Sequence, residues 1–388
     1  MRWTAVALAS LLAVTVACSG GDEDAAPATS AAAGQAASTP SAAAKQASTP
    51  STTAGVSAPA PTYSGSYSDA VREPQAPAPA STPEALQQLY QLSAAHREVV
   101  LWGNGRGGVD FVSPNGLAID GDDNVYVTEA RGNRFRKFSP DGEVLLDVGG
   151  EGAGPGQFLF PIGIAVDGDG FIYVTEAGGH RVQRFAADGT LVTSWGGDGT
   201  EPGHFRSAMG IGVSEAGEVF VADFGNHRVQ VFDRDGALLR SFGEASSDPG
   251  QFVNPIGLQI GPAGNVWVVD SGNRRAQTCI PVGEFVAVWD NVGLSPQLIS
   301  LNAAGQFFVS SPGVNQVRWF DADGTVLGRL GLGISGDDFQ RLNDAEIGGL
   351  GATDALVQPH GTATDSAGNV YLADTGNGVV RKFAPAGG

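Results

Sequence analysis

The sequence predicts an all-β protein built from six copies of one four-stranded antiparallel unit. The chain of 388 residues contains 57 glycines and only 16% charged residues, a composition typical of β-proteins with many turns. An aromatic residue, here called the anchor, recurs at spacings of 47 (three times), 41 and 63 residues. The anchors are Tyr126, Tyr173, Phe220, Trp267, Phe308 and Tyr371.

The positions around each anchor keep a common register, which defines the repeat. Twelve residues before the anchor stand Pro114, Pro161, Ala208, Pro255, Pro296 and Pro359, and twelve residues after it stand Phe138, Phe185, Phe232, Cys279, Phe320 and Phe383. Each unit reads as four short strands joined by turns that contain glycine, which predicts an antiparallel meander. Because Cys279 occupies a phenylalanine position, we expect a buried thiol there.

Residues 158–189, with the sequence "FLFPIGIAVDGDGFIYVTEAGGHRVQRFAADG", closely resemble an NHL repeat. The neighbouring "GNHRVQVF" and "PGQF" segments resemble the same family over residues 97–388. The resemblance implies a six-bladed β-propeller with four antiparallel strands in each blade. The sixth unit ends after its third strand, so we expect residues 97–102 to supply its outer strand and close the ring.

The first 17 residues predict a bacterial lipoprotein signal peptide. They carry Arg2 and then an apolar run that is too short to span a bilayer. Small residues precede Cys18, the expected site of lipidation; an ordinary secretory signal is the alternative. We therefore expect an exported protein, held in the cell envelope by a lipid anchor and facing the periplasm or the exterior.

Residues 18–82 predict a disordered linker, because Ala, Ser, Thr and Pro cannot bury enough apolar surface to fold. A flexible chain of this length spans roughly 45 Å, enough to hold a domain clear of a membrane. Residues 83–96 then predict a short amphipathic helix and a lead-in to the propeller.

Two further positions follow each anchor in a correlated way. Four repeats carry an acid three residues after the anchor and Arg eight residues after it, as in Asp223 and Arg228, whereas the fifth repeat lacks both. This correlation predicts a structural acid–arginine pair. His227 lies in a variable position, so we expect it to face solvent. Although His180, His204 and His227 are on one rim, their spacing does not indicate a metal site.

A candidate binding site lies where the innermost strands begin around the channel. The residues after the proline position are Asn115, Ile162, Met209, Ile256, Gln297 and His360, which place the polar groups on adjacent blades and the apolar groups opposite. Asp374 has no arginine at its partner position, where Val379 stands, and the 331–358 insertion lies on the same rim. A few polar groups beside an apolar wall are typical of a ligand pocket, although these side chains could instead hold channel water.

These features favour a surface-anchored binding or scaffold module whose ligand is a protein, a peptide or a glycan. The net charge is −19, and removal of residues 1–17 leaves −20, which disfavours nucleic acid as a partner. The alternative is an enzyme similar to the peptidyl-hydroxyglycine amidating lyases of this family, or to lactonases. The lyases hold zinc with histidines at positions like that of His360. Only one such histidine is present here, so we expect no metal or other cofactor, with a metal at His360 left open.

Overall fold

Each repeat forms one four-stranded antiparallel sheet, and the six sheets are the blades of a β-propeller. The computed structural model describes residues 96–103, 109–331 and 356–385. The predicted signal peptide, linker and helix, and most of the 331–358 insertion, lie outside the described residues. The strands of blades one to three are β2 (Pro114–Ile119), β3 (Val125–Glu129), β4 (Arg134–Phe138), β5 (Val144–Gly149), β6 (Pro161–Val166), β7 (Ile172–Glu176), β8 (Arg181–Phe185), β9 (Leu191–Gly196), β10 (Ala208–Val213), β11 (Val219–Asp223), β12 (Arg228–Phe232) and β13 (Leu238–Phe242).

Blades four to six follow the same order, and the last one takes its outer strand from the N-terminal side. Their strands are β14 (Pro255–Ile260), β15 (Val266–Asp270), β16 (Arg275–Cys279), β17 (Phe285–Asp290), β18 (Ile299–Leu301), β19 (Phe307–Ser311), β20 (Gln316–Phe320), β21 (Val326–Leu330), β22 (Pro359–Thr364), β23 (Val370–Asp374), β24 (Val379–Pro385) and β1 (His96–Gly103). Strand β1 pairs antiparallel with β24, so the predicted closure of the ring is confirmed.

Burial within a blade follows the position of the strand. All five residues of each second strand are buried, because both faces of that strand are covered by other blades. The outer strands of blades two and three instead alternate between exposed and partly buried side chains, as a half-covered strand does. No helix of the described part of the chain is long and apolar enough to cross a membrane.

The hydrophobic core is divided into clusters that lie between neighbouring blades. One cluster joins Tyr126 and Phe135 of blade one to Phe158 and Phe185 of blade two. The closing cluster joins Trp102 of β1 to Phe138 of blade one and Tyr371 of blade six. Cys279 is fully buried in such a cluster, as predicted, and burial raises the pKa of its thiol to about 11. The thiol therefore stays protonated and inert at neutral pH.

Glycines near the start of the innermost strands let these strands approach each other around the channel. A side chain at Gly163 would collide with the carbonyl oxygen of Met209, and one at Gly361 would collide with that of Asn115. The residue after the proline position in one blade thus lies against the glycine of the preceding blade. Five such contacts join neighbouring blades around the channel, and blade five carries Leu298 in place of the glycine.

Candidate functional site

The upper rim carries the turns between second and third strands, and its structural element is an acid–arginine pair in each of four blades. In blade three, Arg228 Nε donates to Asp223 Oδ2 at 2.8 Å. The corresponding pairs are Arg134 with Glu129, Arg181 with Glu176, and Arg275 with Asp270. The predicted pairs are confirmed, and every acid among them is fully buried.

The acid also accepts hydrogen bonds that the sequence analysis missed. Asp223 accepts from the backbone N–H of Arg206 at 2.8 Å, from Asn226 at 2.9 Å and from Gln230 at 3.1 Å. The carboxylate therefore joins the turn, the third strand and the link from the preceding blade. A buried charge with this many donors is well compensated.

Asp374 has a partner, which corrects the expectation that it is unpaired. Arg381 Nε lies 2.7 Å from Asp374 Oδ2, seven residues along the chain rather than five. Burial raises the pKa of the Asp374 carboxyl, while Arg381 and the N–H of Val357 favour its ionised form. Because Asp374 is fully buried and paired, its role is structural. The sequence feature that could have revealed this pair is the tenth residue after each anchor. It is arginine in blades one, five and six and glutamine in the other three.

His227 is half-buried, and the expectation that it simply faces solvent is wrong. Its Nδ1 accepts the backbone N–H of Asn254 at 3.0 Å. Backbone N–H groups donate to the equivalent side chain in three other blades. The pairs are Ser207 with His180 Nδ1, Phe160 with Asn133 Oδ1 and Gln358 with Asn315 Oδ1. All six residues at this position have a left-handed backbone, and in four blades the side chain accepts a hydrogen bond from the next blade, whereas Arg274 and Gly378 have no side-chain acceptor.

The ring of post-proline residues at the channel mouth holds the predicted polar and apolar arcs. Asn115, Ile162 and Ile256 are buried, while Met209, Gln297 and His360 are half-buried. Strand β22, which carries His360, packs between β18 and β2. His360 and Asn115 are thus on adjacent blades, with Gln297 on the other side just ahead of β18.

Two hydrogen bonds made by Nδ1 hold the His360 ring in one orientation. The carbonyl oxygen of Gln358 and the hydroxyl of Thr375 both lie 2.9 Å from this nitrogen. Thr375 in turn donates its hydroxyl hydrogen to the carbonyl oxygen of Pro114 in blade one. Because a carbonyl oxygen can only accept, Nδ1 carries the hydrogen and Nε2 has a lone pair.

The channel mouth keeps this imidazole neutral. Loss of hydration lowers the pKa of His360 to about 4, against a small opposing effect of the bond to Gln358. Nε2 therefore carries no proton in the neutral pH range, where it can accept a hydrogen bond or bind a metal ion. Among the described residues, no group of three or more histidine, cysteine or acidic side chains is arranged to hold a metal ion.

A cavity of about 250 Å³ occupies the opposite end of the channel. It is lined by the last residues of the innermost strands, mainly aliphatic, with a polar side formed by Gln259, Ser300, Thr362 and Thr364. Ser300 donates to Thr362 at 2.7 Å, so two of these groups satisfy each other. The lining of this cavity has no titratable side chain, so chemistry is better placed at the upper rim.

Comparison with known sequences agrees with the repeat. Residues 158–185, 205–232 and 356–383 match the NHL repeat. No curated protein sequence matches the chain.

Solved structures with the same fold include two enzymes. A gluconolactonase from Xanthomonas campestris superposes with a TM-score of 0.53 at 17% identity, covering 75% of this chain and 95% of its own. A catalytically inactive virginiamycin B lyase from Staphylococcus aureus, solved with quinupristin, superposes with a TM-score of 0.50 at 16% identity, covering 71% and 82%. At these identities the likeness extends to the fold alone.

Proposed function

We propose that this NHL-repeat β-propeller is a binding module anchored to the cell envelope, which takes a peptide, protein or glycan ligand at the channel mouth around His360. The observation that carries the proposal is the fixed, neutral imidazole in a ring that is polar on one side and apolar on the other. The rigid polar group orients a ligand, and the apolar wall beside it removes water from the ligand's surface.

The chemistry of the mouth favours an uncharged ligand segment that donates a hydrogen bond. His360 Nε2 is an acceptor, and the neutral ring offers an anion no charge to pair with. Half-buried Met209 supplies apolar contact on the other side of the ring, with buried Ile162 and Ile256 beside it. Hydroxyl and amide N–H groups of a glycan or a peptide fit this combination.

An array of immobilised peptides and cell-wall glycan fragments tests the proposal. We expect ligands bound by the wild-type protein to lose at least about tenfold in affinity with His360→Ala, about 1.4 kcal/mol. His204→Ala is the matched control, because His204 is an exposed histidine on the same rim, and it should retain binding. Full binding by His360→Ala at an unchanged melting temperature would exclude the channel mouth as the site.

A second candidate is an enzyme in which His360 acts as a general base or as a metal ligand. The specific observation is the bond from Nδ1–H to a backbone carbonyl, which is also how proteins orient catalytic and metal-binding histidines. A pKa of about 4 makes the imidazole a weak base, so a catalytic role requires a substrate with an acidic proton or a metal-bound water.

Metal analysis and two probe substrates separate the candidates. Gluconolactone and quinupristin are suitable probes. One protein of this fold is a gluconolactonase, and another was solved with quinupristin. Turnover that disappears with His360→Ala, or a stoichiometric metal lost with the same change, would support the enzyme. Ligand binding without turnover or metal would support the binding module.

A further inference from the structure

The lower rim, opposite His360, carries a layer of ion pairs built on acidic and basic positions that recur in three blades. Each of these blades has Asp six residues before a tyrosine anchor and a basic residue eleven after it. In blade one, Lys137 Nζ lies 3.0 Å from Asp120 Oδ2, and the Tyr126 hydroxyl donates to the same oxygen at 3.0 Å. The three side chains fill the space between the turn and the core.

Blades two, six and three fill this space in related ways. In blade two, Tyr173 donates to Asp167 at 3.0 Å, and the Arg184 guanidinium lies 3.8 Å from the centre of a phenyl ring. In blade six, Lys382 lies 3.3 Å from Asp365. Blade three has no tyrosine anchor. Instead, Arg240 of its outer strand lies 2.6 Å from the carboxylate of Glu218.

Blades four and five have none of these residues at the same positions. Gly261, Trp267 and Thr278 stand in blade four, and Asn302, Phe308 and Trp319 stand in blade five. Between the two blades the structure has a groove of about 270 Å³. Its lining consists of Trp267, Leu301, Asn265 and small residues of the two turns, Pro262, Ala263 and Ala304 among them. The groove therefore exists where the layer of ion pairs is missing.

The groove adjoins the lower cavity of the channel. Leu301 lines both spaces, and the cavity has a volume of about 250 Å³. Trp267 is held firmly beside them, because Trp289 stacks on it with 4.5 Å between ring centres. An apolar cavity of about 150 Å³ already accommodates benzene, so the groove has room for a two-ring molecule.

The charges around the groove select the ligand. Its lining has no ionisable side chain, so a bound cation or anion would lack a partner there. Exposed carboxylates of Asp122 and Glu215 stand in the equivalent turns of blades one and three and disfavour anions near these turns. We propose that the groove between blades four and five is a second binding site, specific for an uncharged aromatic ligand of about two rings.

Binding of 6-propionyl-2-(dimethylamino)naphthalene, an uncharged two-ring probe whose fluorescence changes in apolar surroundings, tests the proposal. We expect saturable binding to the wild-type protein. Ala304→Phe should weaken it at least tenfold, because the new ring would occupy the groove. Ala367→Phe is the matched control in the same turn of blade six, where the Asp365–Lys382 pair fills the space, and it should stay within twofold of wild type.

Displacement of the probe tests the charge selectivity. We expect 2-naphthol to compete at least tenfold more strongly than 2-naphthoate at pH 7. Probe binding should be unchanged in His360→Ala, which makes the result independent of the site proposed for the upper rim. Failure of the probe to saturate, equal loss in the two phenylalanine variants, or equal competition by the anion would each overturn the proposal.

Discussion

At the scale of single residues, the same residue type has different roles according to its partners. His227 and His360 both use Nδ1, but His227 accepts a backbone N–H there, whereas His360 bonds to a carbonyl oxygen. The first arrangement uses up the lone pair to join two blades. The second leaves the lone pair on Nε2 available, which makes His360 the functional candidate.

Arg228→Ala should destabilise the protein by about 3 kcal/mol, since it removes one partner of a buried ion pair. The value is at the lower end for such pairs because Asp223 retains three other donors. Urea denaturation at pH 7 measures the change. A loss below about 1 kcal/mol would show that the pair contributes little.

His227→Ala should cost about 1 kcal/mol rather than the negligible amount expected for a solvent-facing side chain, because the Asn254 N–H loses its acceptor. His227→Asn should recover most of this loss, since asparagine performs the same role at Asn133 and Asn315. The same denaturation experiment compares the two variants. Equal stability of the alanine variant and the wild type would contradict the assigned bond.

His360 should make stability depend on pH. Its pKa is about 4 in the folded chain and 6.5 when unperturbed, so the unfolded chain binds more protons between these values. This contribution to stability is complete above about pH 6.5 and is lost as the pH falls towards 4. Between pH 7.5 and 4.5, the wild type should lose about 1–3 kcal/mol more than His360→Gln. Parallel losses in both proteins would contradict the lowered pKa.

At the scale of elements, closure of the ring depends on β1. This strand pairs with β24 along its length, and its Trp102 is buried between blades six and one, with Phe138 5.7 Å away between ring centres. Without β1, the third strand of blade six would expose an unpaired edge, and the closing hydrophobic cluster would lose its tryptophan.

A chain that begins at Gly103 should therefore lose cooperative unfolding, whereas a chain that begins at Ser81 should unfold like the protein after removal of residues 1–17. Differential scanning calorimetry distinguishes a single sharp transition from a broad one. Identical transitions in the two shortened chains would show that β1 is dispensable.

At the scale of the whole molecule, the propeller has two ends with different chemistry. The upper end has the acid–arginine pairs and His360, and the lower end has the second layer of ion pairs and the groove between blades four and five. We propose that a lipid on Cys18 anchors this domain to a membrane.

Cys18→Ala should move the protein from the membrane fraction to the soluble fraction, or block processing of its precursor, because the acceptor of the lipid is lost. Fractionation followed by mass measurement of the mature chain detects either result. An unchanged distribution and mass would exclude lipidation at Cys18.

The sequence by itself determined the repeat and its consequences. Six aromatic anchors with a constant register predict six blades, and the missing last strand of the sixth repeat predicts closure by β1. The correlated acid and arginine positions predict the pairs that the structure contains. These features are local and occur several times, so comparison between repeats reveals them.

Only the tertiary structure decided which groups are paired and which remain available. Arg381 reaches Asp374 from a position that carries glutamine in three other blades, so the local pattern pointed to an unpaired acid. The orientation of His360 depends on Gln358 and Thr375, and Thr375 in turn bonds to Pro114, which lies 261 residues away in the chain. The pKa of His360 and the groove between blades four and five likewise arise from contacts between neighbouring blades.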